Sequence, residues 1–240
     1  MSDGLIHLPG EKTEAAMRQY YRERDWTAVL TSHSTKIVCK NSDRVLMSDT
    51  LLTLPALRCI SVLHKSVRDN FKTLPTGYAD PAYYRYKYAR LGEGRLYEYD
   101  LNAAYLRAAL ALGLIDQKLH DKINVLKKEE RLAVMGSLAT QKVFIEYKEE
   151  SVSNRYTTRC PLYPAWNALV AWVDAKMTDL YTGQRGSLFY WVDALFLERK
   201  TNIPDSKEKI VYYKADDRFI KFADGRKFPI IQPRRNHEKS

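Results

Sequence analysis

The chain has only three cysteines among its 240 residues, and no two of them stand close together. Cys39, Cys59 and Cys160 form neither a CxxC pair nor an even disulfide framework, which favours a reducing compartment. No run approaches the roughly 18 apolar residues that a membrane span needs. The first residues lack a basic segment followed by an apolar core, so we identify no signal peptide. These absences predict a soluble, cytoplasmic protein with no membrane partner.

An excess of basic residues is the strongest compositional signal. The net charge is +10 and the isoelectric point is about 9.4. Such a charge points to a polyanionic partner, with nucleic acid as the first candidate and an anionic membrane surface as the second. Arg234 and Arg235 in the basic tail at 229–240 are candidate nucleic-acid contacts, although a solvated chain end is the alternative.

Helical and strand patterns alternate along the chain and predict an α+β fold. We divide the sequence into a small mixed α/β segment at 1–76, a core at 77–228 and the tail. Gly92 and Gly94 are expected to form a turn, and a polar loop is expected at 148–158. The predicted helices are 11–26, 51–71, 117–142 and 160–181, and the predicted strands are 36–39, 45–47, 84–88, 97–101, 144–147, 188–198 as a hairpin, 211–214 and 219–222.

Tyrosine is concentrated in one region, since eight of the 17 tyrosines fall between positions 78 and 105. In an extended strand Tyr84 and Tyr86 share one face, and Arg85 and Lys87 share the other. Nucleic-acid bases stack on aromatic rings and phosphates are neutralised by cations, so this pattern suits a single strand of nucleic acid. A strand with tyrosines in the core and solvated cations outside explains the pattern equally well.

A carboxylate stands where a predicted strand gives way to a helix, in the sequence YEYDLNAAYLRAALAL at 97–112. Asn102 opens a run of Ala and Leu with strong helix propensity. Asp100 therefore lies at a sheet edge, where it can reach a ligand, and Tyr105 follows five residues later. The alternative is a buried strand followed by an ordinary helix cap.

A second carboxylate occurs in the sequence LFYWVDALFLE at 188–198. The pattern predicts a hydrophobic hairpin with Asp193 near its turn. Burying an unpaired carboxylate is expensive, so Asp193 needs a cation, a metal ion or a hydrogen-bond cage.

Both segments resemble motifs of the family B DNA polymerases. Asp100, Leu101 and Tyr105 match motif A, DxxSLYP. In motif C, YxDTDS, Asp193 falls on the second Asp and Trp191 replaces the first. The resemblance implies that Asp100 and Asp193 bind two metal ions, Mg²⁺ or Mn²⁺, with the Leu101 carbonyl as a further ligand. It also implies that Tyr105 lies beneath the nucleotide sugar and excludes a 2′-hydroxyl.

Two further segments stand in the order that the family has. The sequence RLAVMGSLA at 131–139 resembles motif B, KxxxNSLYG, and places Arg131 at the lysine that holds the triphosphate. Lys127 and Lys128 are rival cations one turn earlier. The sequence PAWNALVAWVDAKMTDLY, from Pro164, resembles the palm helix that precedes motif C.

The resemblance covers roughly residues 85–200 and implies a polymerase-type palm, an antiparallel sheet backed by helices, with a short helical fingers remnant at 116–142. It implies a template-directed DNA polymerase, a nucleotidyltransferase that moves deoxynucleotides from triphosphates to a 3′-hydroxyl or a protein hydroxyl during DNA replication. The spacing leaves no room for an exonuclease or for full fingers and thumb. Such an enzyme would not proofread, would need a replisome partner for processivity, and would suit a phage or mobile element in a bacterial cytoplasm.

Two other interpretations stay open. A non-catalytic replication subunit could keep a degenerate palm as a nucleic-acid-binding platform, and the loss of one motif C Asp favours this. A small basic structural or regulatory protein could resemble the motifs by accident.

Overall fold

The computed structural model describes residues 26–30, 35–39, 45–47, 52–71, 84–86, 92–148, 151–216 and 218–229. In the three segments before residue 52 and in 84–86, only the backbone is described. The helix predicted at 11–26 lies outside these residues, except for Trp26, which begins a strand. The candidate contacts Lys87, Arg234 and Arg235 lie outside them as well.

The described chain mixes helices with antiparallel sheets, which confirms the α+β class. The strands are β1 Trp26–Leu30, β2 Thr35–Cys39, β3 Val45–Met47, β4 Tyr84–Tyr86, β5 Gly92–Leu101, β6 Gln141–Lys148, β7 Ser151–Arg159, β8 Ser187–Trp191, β9 Ala194–Leu197, β10 Ser206–Ala215, β11 Phe219–Phe222 and β12 Lys227–Pro229. The helices are α1 Leu54–Asn70, α2 Ala104–Ala111, α3 Gln117–Asn124, α4 Lys128–Gly136 and α5 Tyr163–Gly183, with a 3₁₀ turn at Ser137–Ala139.

The chain divides into two compact units. The first unit comprises residues 1–74 and 109–166, and the second comprises 75–108 and 167–240. A five-stranded sheet, in the order β3-β2-β1-β6-β7, belongs to the first unit. A seven-stranded sheet, in the order β12-β11-β10-β5-β9-β8-β4, belongs to the second. The division into 1–76, 77–228 and a tail stays a prediction.

Strand β5 organises the second unit, because it pairs with β10 along one side and with β9 along the other. Aromatic side chains cover one face of this sheet, where the rings of Phe189 and Phe196 stack 4.3 Å apart. Phe222 and Phe228 pack against the same cluster. This face contains the main apolar core of the second unit.

The opposite face of the same sheet carries a helix. Tyr99, paired with Leu195, is 2% exposed, and Tyr190 is fully buried. The Tyr190 hydroxyl donates a hydrogen bond of 2.5 Å to the Asp174 carboxylate on α5 and lies 3.1 Å from the Thr178 hydroxyl. A helix therefore lies against this face of the sheet, and the assignment of the sheet to a polymerase-type palm stays a prediction.

Helices α1, α3 and α4 pack together in the first unit. The Asp116 carboxylate accepts a hydrogen bond of 2.8 Å from the Leu119 N–H and caps α3. Gly113 ends the preceding helix with a φ of 67°, which suits a residue without a side chain. His64 Nε2 of α1 lies 2.8 Å from the Ser137 hydroxyl, a hydrogen bond that links α1 to the 3₁₀ turn after α4.

Three local predictions were wrong. The polar loop predicted at 148–158 contains β7, whose nine residues are all exposed, so no apolar alternation could reveal it. The helix predicted at 117–142 is two helices, α3 and α4, and β6 already begins at Gln141. Gly92 and Gly94 lie within β5 instead of in a turn. A Cβ on Gly94 would lie 3.1 Å from a ring carbon of Tyr213, so glycine lets that ring lie against the strand.

Candidate active site

Asp100 is the next-to-last residue of β5. It pairs with Ala194 of β9 on one side and with Lys207 of β10 on the other. Residues paired directly across an antiparallel sheet point to the same face. Asp100, Ala194 and Lys207 therefore share a face, and it is the aromatic face, opposite the one that α5 covers.

Asp193 lies in the two-residue turn between β8 and β9. Its backbone carbonyl accepts a hydrogen bond of 3.0 Å from the N–H of Leu101, the residue that follows Asp100. Asp100 and Asp193 are both half-buried. The two residues that the sequence singled out thus lie at the same end of the sheet, Asp100 on β5 and Asp193 in the turn before the neighbouring β9.

Strained backbone surrounds this end of β5. In the described part of the chain, the non-glycine residues with positive φ are Ala103 at 49°, Val192 at 56° and Asp205 at 60°. Ala103 follows β5, Val192 precedes Asp193, and the Asp205 carbonyl accepts a hydrogen bond of 2.9 Å from the Asn102 N–H. Left-handed backbone is costly for residues with a side chain, most of all for a β-branched one. Such strain is characteristic of functional sites.

A buried ion pair supports β5 beside the candidate site. Glu98, two residues before Asp100 on the same face, is only 3% exposed. Arg226 donates two hydrogen bonds to its carboxylate, one of them 2.9 Å long, and Lys209 Nζ lies 3.2 Å from Glu98 Oε1. The hydrogen bonds to Glu98 raise the pKa of Arg226 above its usual range. The guanidinium also lies 5.2 Å from the ring centre of Phe222.

Tyr105 is the second residue of α2 and is half-buried. It belongs to the same unit as Asp100 and Asp193. An ion pair of 2.6 Å between Arg107 and Asp205 ties α2 to the segment before β10. Tyr105 is thus held within one helical turn of the end of β5, and its contact with a nucleotide sugar stays a prediction.

The three candidate triphosphate cations lie in the first unit, at the start of α4. Lys127 and Lys128 are exposed. Arg131 is half-buried, and its Nη1 donates hydrogen bonds of 3.0 Å to the Asn124 carbonyl and 3.4 Å to the Leu126 carbonyl. Arg131 therefore closes the end of α3, a structural use that its position in the motif did not reveal.

The Tyr-rich segment contains a strand, as predicted. In β4, Tyr84 pairs with Trp191, Arg85 with Tyr190 and Tyr86 with Phe189. The strand lies at one edge of the seven-stranded sheet. Its proposed contact with a single nucleic-acid strand is not tested by this pairing.

Lys207 is the residue of this site that sequence reasoning missed. It lies opposite Asp100 on the same face, so it can add positive charge where an anionic substrate would approach the carboxylates. Nothing in the local sequence indicates this role, because it depends on the pairing of β10 with β5. The alternation of Lys207 and Lys209 in β10 shows only that both point to one face.

The donor atoms at this end of the sheet suit divalent magnesium or manganese. Carboxylate and carbonyl oxygens are the ligands that these ions prefer. Magnesium is commonly held by one or two carboxylates together with waters and substrate phosphates. The residues that the structure describes contain no group of three or more His, Cys, Asp or Glu that could hold a metal ion. That Asp100 and Asp193 hold metal ions stays a prediction.

Comparisons with other proteins leave the site to be interpreted from its own residues. The chain matches no protein-family model, and no curated protein or solved structure matches it. Within the described helices, none is long and apolar enough to cross a membrane.

Proposed function

We propose that the chain is a reduced polymerase-like nucleotidyltransferase, which adds deoxynucleotides to a 3′-hydroxyl or a protein hydroxyl as a template directs. One observation carries this proposal: Asp100 near the end of β5 and Asp193 in the turn that leads into the neighbouring β9 lie at the same end of an antiparallel sheet, where the backbone strain is concentrated. A carboxylate on a strand end and another on the neighbouring hairpin form the arrangement that the resemblance to family B polymerases implies.

In this proposal Asp100, Asp193 and the Leu101 carbonyl hold two ions between the protein and the substrate phosphates. When bound, two such ions supply activation of the attacking hydroxyl and neutralisation of the leaving pyrophosphate. Lys207 contributes a further positive charge on the Asp100 face.

Tyr105 selects the sugar. Its ring belongs to the first turn of α2, close in sequence to Asp100, and would leave no space for a 2′-hydroxyl beneath the bound nucleotide. Because the Arg131 guanidinium is committed to the end of α3, Lys127 and Lys128 are the cations of the first unit that stay available to an anion. Both lysines stand at the start of α4, where the helix dipole also favours an anion.

Primer extension tests this proposal directly. The full chain, with Mg²⁺ or Mn²⁺, should extend a primer only when a template is present. Asp100→Ala and Asp193→Ala should each abolish extension and keep a cooperative melting transition. Asp179→Ala, which removes an exposed carboxylate from α5, is the matched control and should extend normally. Near-normal extension by either of the first two variants would refute the two-metal assignment.

One observation favours a second candidate, a non-catalytic nucleic-acid-binding replication subunit. Trp191 occupies the place of the first motif C Asp, and its ring packs 4.9 Å from that of Phe228 in the aromatic core. A calorimetric titration with Mn²⁺ and a deoxynucleoside triphosphate separates the two candidates. A platform alone would bind oligonucleotides and give no nucleotide signal that depends on Asp100.

A further inference from the structure

A groove of about 400 Å³ lies between α1 and α3 in the first unit. Its volume is in the range of about 300–1,000 Å³ that is usual for binding sites. The side chains along its length are mainly apolar, and they come from both helices and from the turn after α3. The apolar side chains are Pro55, Cys59, Val62, Leu119, Val125 and Leu126.

Two of these apolar side chains are well exposed. Val62 is 51% exposed and Val125 is 83% exposed. Single exposed apolar residues are ordinary on a protein surface. Here they border a concave apolar surface, and Leu54, at the start of α1, is a further exposed apolar side chain at 68%. An exposed apolar patch with a polar rim is a feature of interaction sites.

The rim of the groove is strongly basic. Arg58 from α1 and Lys118 and Lys122 from α3 line it. Asp116 is the one carboxylate among the lining residues, and it accepts the capping hydrogen bond from the Leu119 N–H. Burial raises the pKa of the Cys59 thiol above its usual value. The positive charge of Lys122 opposes this shift, which shows that the charge acts at the groove. The rim therefore carries three cations and one carboxylate, and that carboxylate is already engaged in a helix cap.

We propose that this groove binds an acidic amphipathic helix of a partner protein. The apolar side of such a helix would cover Val62 and Val125, and its Asp or Glu residues would meet Arg58, Lys118 and Lys122. The surface from Pro55 to Val62 is about 10 Å long at 1.5 Å per residue, which accommodates roughly two turns of a helix. Helices form both walls, and among the residues that the structure describes no strand edge lines the groove, so a helix suits it better than an added strand.

This proposal does not depend on the polymerase assignment. Binding of a partner at α1 and α3 needs neither Asp100 nor Asp193, and the two assignments fail separately. If both hold, the groove is where a partner that confers processivity would attach.

Fluorescence anisotropy with a synthetic probe tests the proposal on the full chain. The probe is a labelled peptide of about four turns, with Leu at i, i+3, i+4 and i+7 and Glu at the other positions. Two controls are a peptide of the same composition with Leu distributed around the helix, and a peptide with Lys in place of Glu. We expect the first probe alone to bind, and more weakly as salt is raised.

Matched variants locate the binding site. Val62→Asp should weaken probe binding by about tenfold or more, because it places a charge against the apolar face. Val152→Asp, on β7 in the same unit, changes a valine that is 45% exposed and lies outside the groove, and should bind normally. Lys118→Glu with Lys122→Glu should also abolish binding, and Lys148→Glu should not. The two valines and the three lysines changed in these variants are all exposed. Circular dichroism checks that each variant is folded.

Four results would overturn the proposal. They are absence of probe binding to the wild-type chain, equal binding of the Lys peptide, equal loss in Val62→Asp and Val152→Asp, and displacement of the probe by an oligonucleotide whose own affinity falls in Val62→Asp. The last result would make the groove a nucleic-acid surface. Sedimentation of the chain alone adds a further check, since self-association that Val62→Asp abolishes would identify a second copy as the occupant.

Discussion

Glu98 and Arg226 are 128 residues apart in the sequence and form a two-pronged ion pair inside the second unit. The Glu98 side chain is 4% exposed and that of Arg226 is 33% exposed. The pair joins the centre of β5 to the turn between β11 and β12. It lies on the face that carries Asp100, two residues along the same strand, so its integrity bears on the geometry of the candidate site.

Removing one partner of this pair should be costly. Arg226→Met should lower the free energy of unfolding by about 2 kcal/mol, because the buried Glu98 carboxylate is left with Lys209 alone. The double variant Glu98→Leu with Arg226→Met should recover part of that loss. Urea denaturation measures both changes. Lys214→Met, which breaks the exposed ion pair with Glu93, is the control, and an equal loss there would show that burial is irrelevant.

Divalent ions should stabilise the chain through the candidate site. Mg²⁺ should raise the melting temperature of the wild type, because an ion that binds only the native state stabilises it. The effect should vanish in Asp100→Ala and in Asp193→Ala. Differential scanning calorimetry at several magnesium concentrations measures the melting temperature. If Mg²⁺ still raises the melting temperature of both variants, the ions bind elsewhere.

Tyr105 should control the choice of sugar. Tyr105→Ala should raise the incorporation of ribonucleotides far more than it changes that of deoxynucleotides, because the ring excludes a 2′-hydroxyl. Tyr105→Phe keeps the ring and should keep the discrimination. Single-nucleotide extension assays measure the ratio. If Tyr105→Ala instead loses both activities together with thermal stability, the ring belongs to the core.

His64 should make stability depend on pH in the first unit. Burial, followed by the charges of Arg68 and Lys142, lowers the pKa of His64 below its ordinary value of 6.5. The Ser137 hydroxyl donates to the Val134 carbonyl at 2.6 Å, so His64 Nε2 is the donor to the Ser137 oxygen.

The unfolded chain takes up a proton at His64 near pH 6.5, whereas the native chain does so only at lower pH. Stability should therefore fall as the pH drops from about 7 through 6.5 towards the native pKa of His64. Urea denaturation over this range measures the slope. His64→Gln removes the proton site and should flatten that slope, and an unchanged slope would exclude His64 as its source.

The basic tail should contribute to nucleic-acid binding. A chain that ends at Pro229 loses three cations, Arg234, Arg235 and Lys239. If all three contact phosphates, the slope of log K against log salt for a single strand should fall by about 2. Fluorescence anisotropy at several salt concentrations measures it, and an unchanged slope would mean that the tail does not touch the backbone. Phe228 must stay, because it is 8% exposed within the aromatic core.

The local features of the candidate site could be predicted from the sequence. An aromatic run that meets an Ala-rich helix predicted the strand end at Asp100, and apolar residues on both sides of Asp193 predicted its hairpin. The contacts between segments could not be predicted. The register of β5 against β9 and β10, which puts Lys207 opposite Asp100, depends on residues about a hundred positions apart.

Burial also decided which elements escaped prediction. Strand β7 has no buried residue, so it carries no pattern that distinguishes it from a loop. Strand β10 was expected only at 211–214, because its first half is polar and exposed while it still pairs with β5. Arg131 matched a motif position, but its guanidinium donates hydrogen bonds to carbonyls at the end of a neighbouring helix. A comparison of sequence motifs cannot detect such a contact.

Val192 holds a left-handed backbone in the turn that presents Asp193. Such a conformation costs about 1–2 kcal/mol in a residue with a side chain, and glycine would release that cost. A population selected only for growth at higher temperature would therefore be expected to acquire changes at this turn early. Glycine there would also widen the range of backbone conformations that carry the carboxylate. Variants selected in this way should therefore have higher thermal stability and lower activity in the proposed reaction. We expect such a trade-off between stability and activity to arise first at this hairpin.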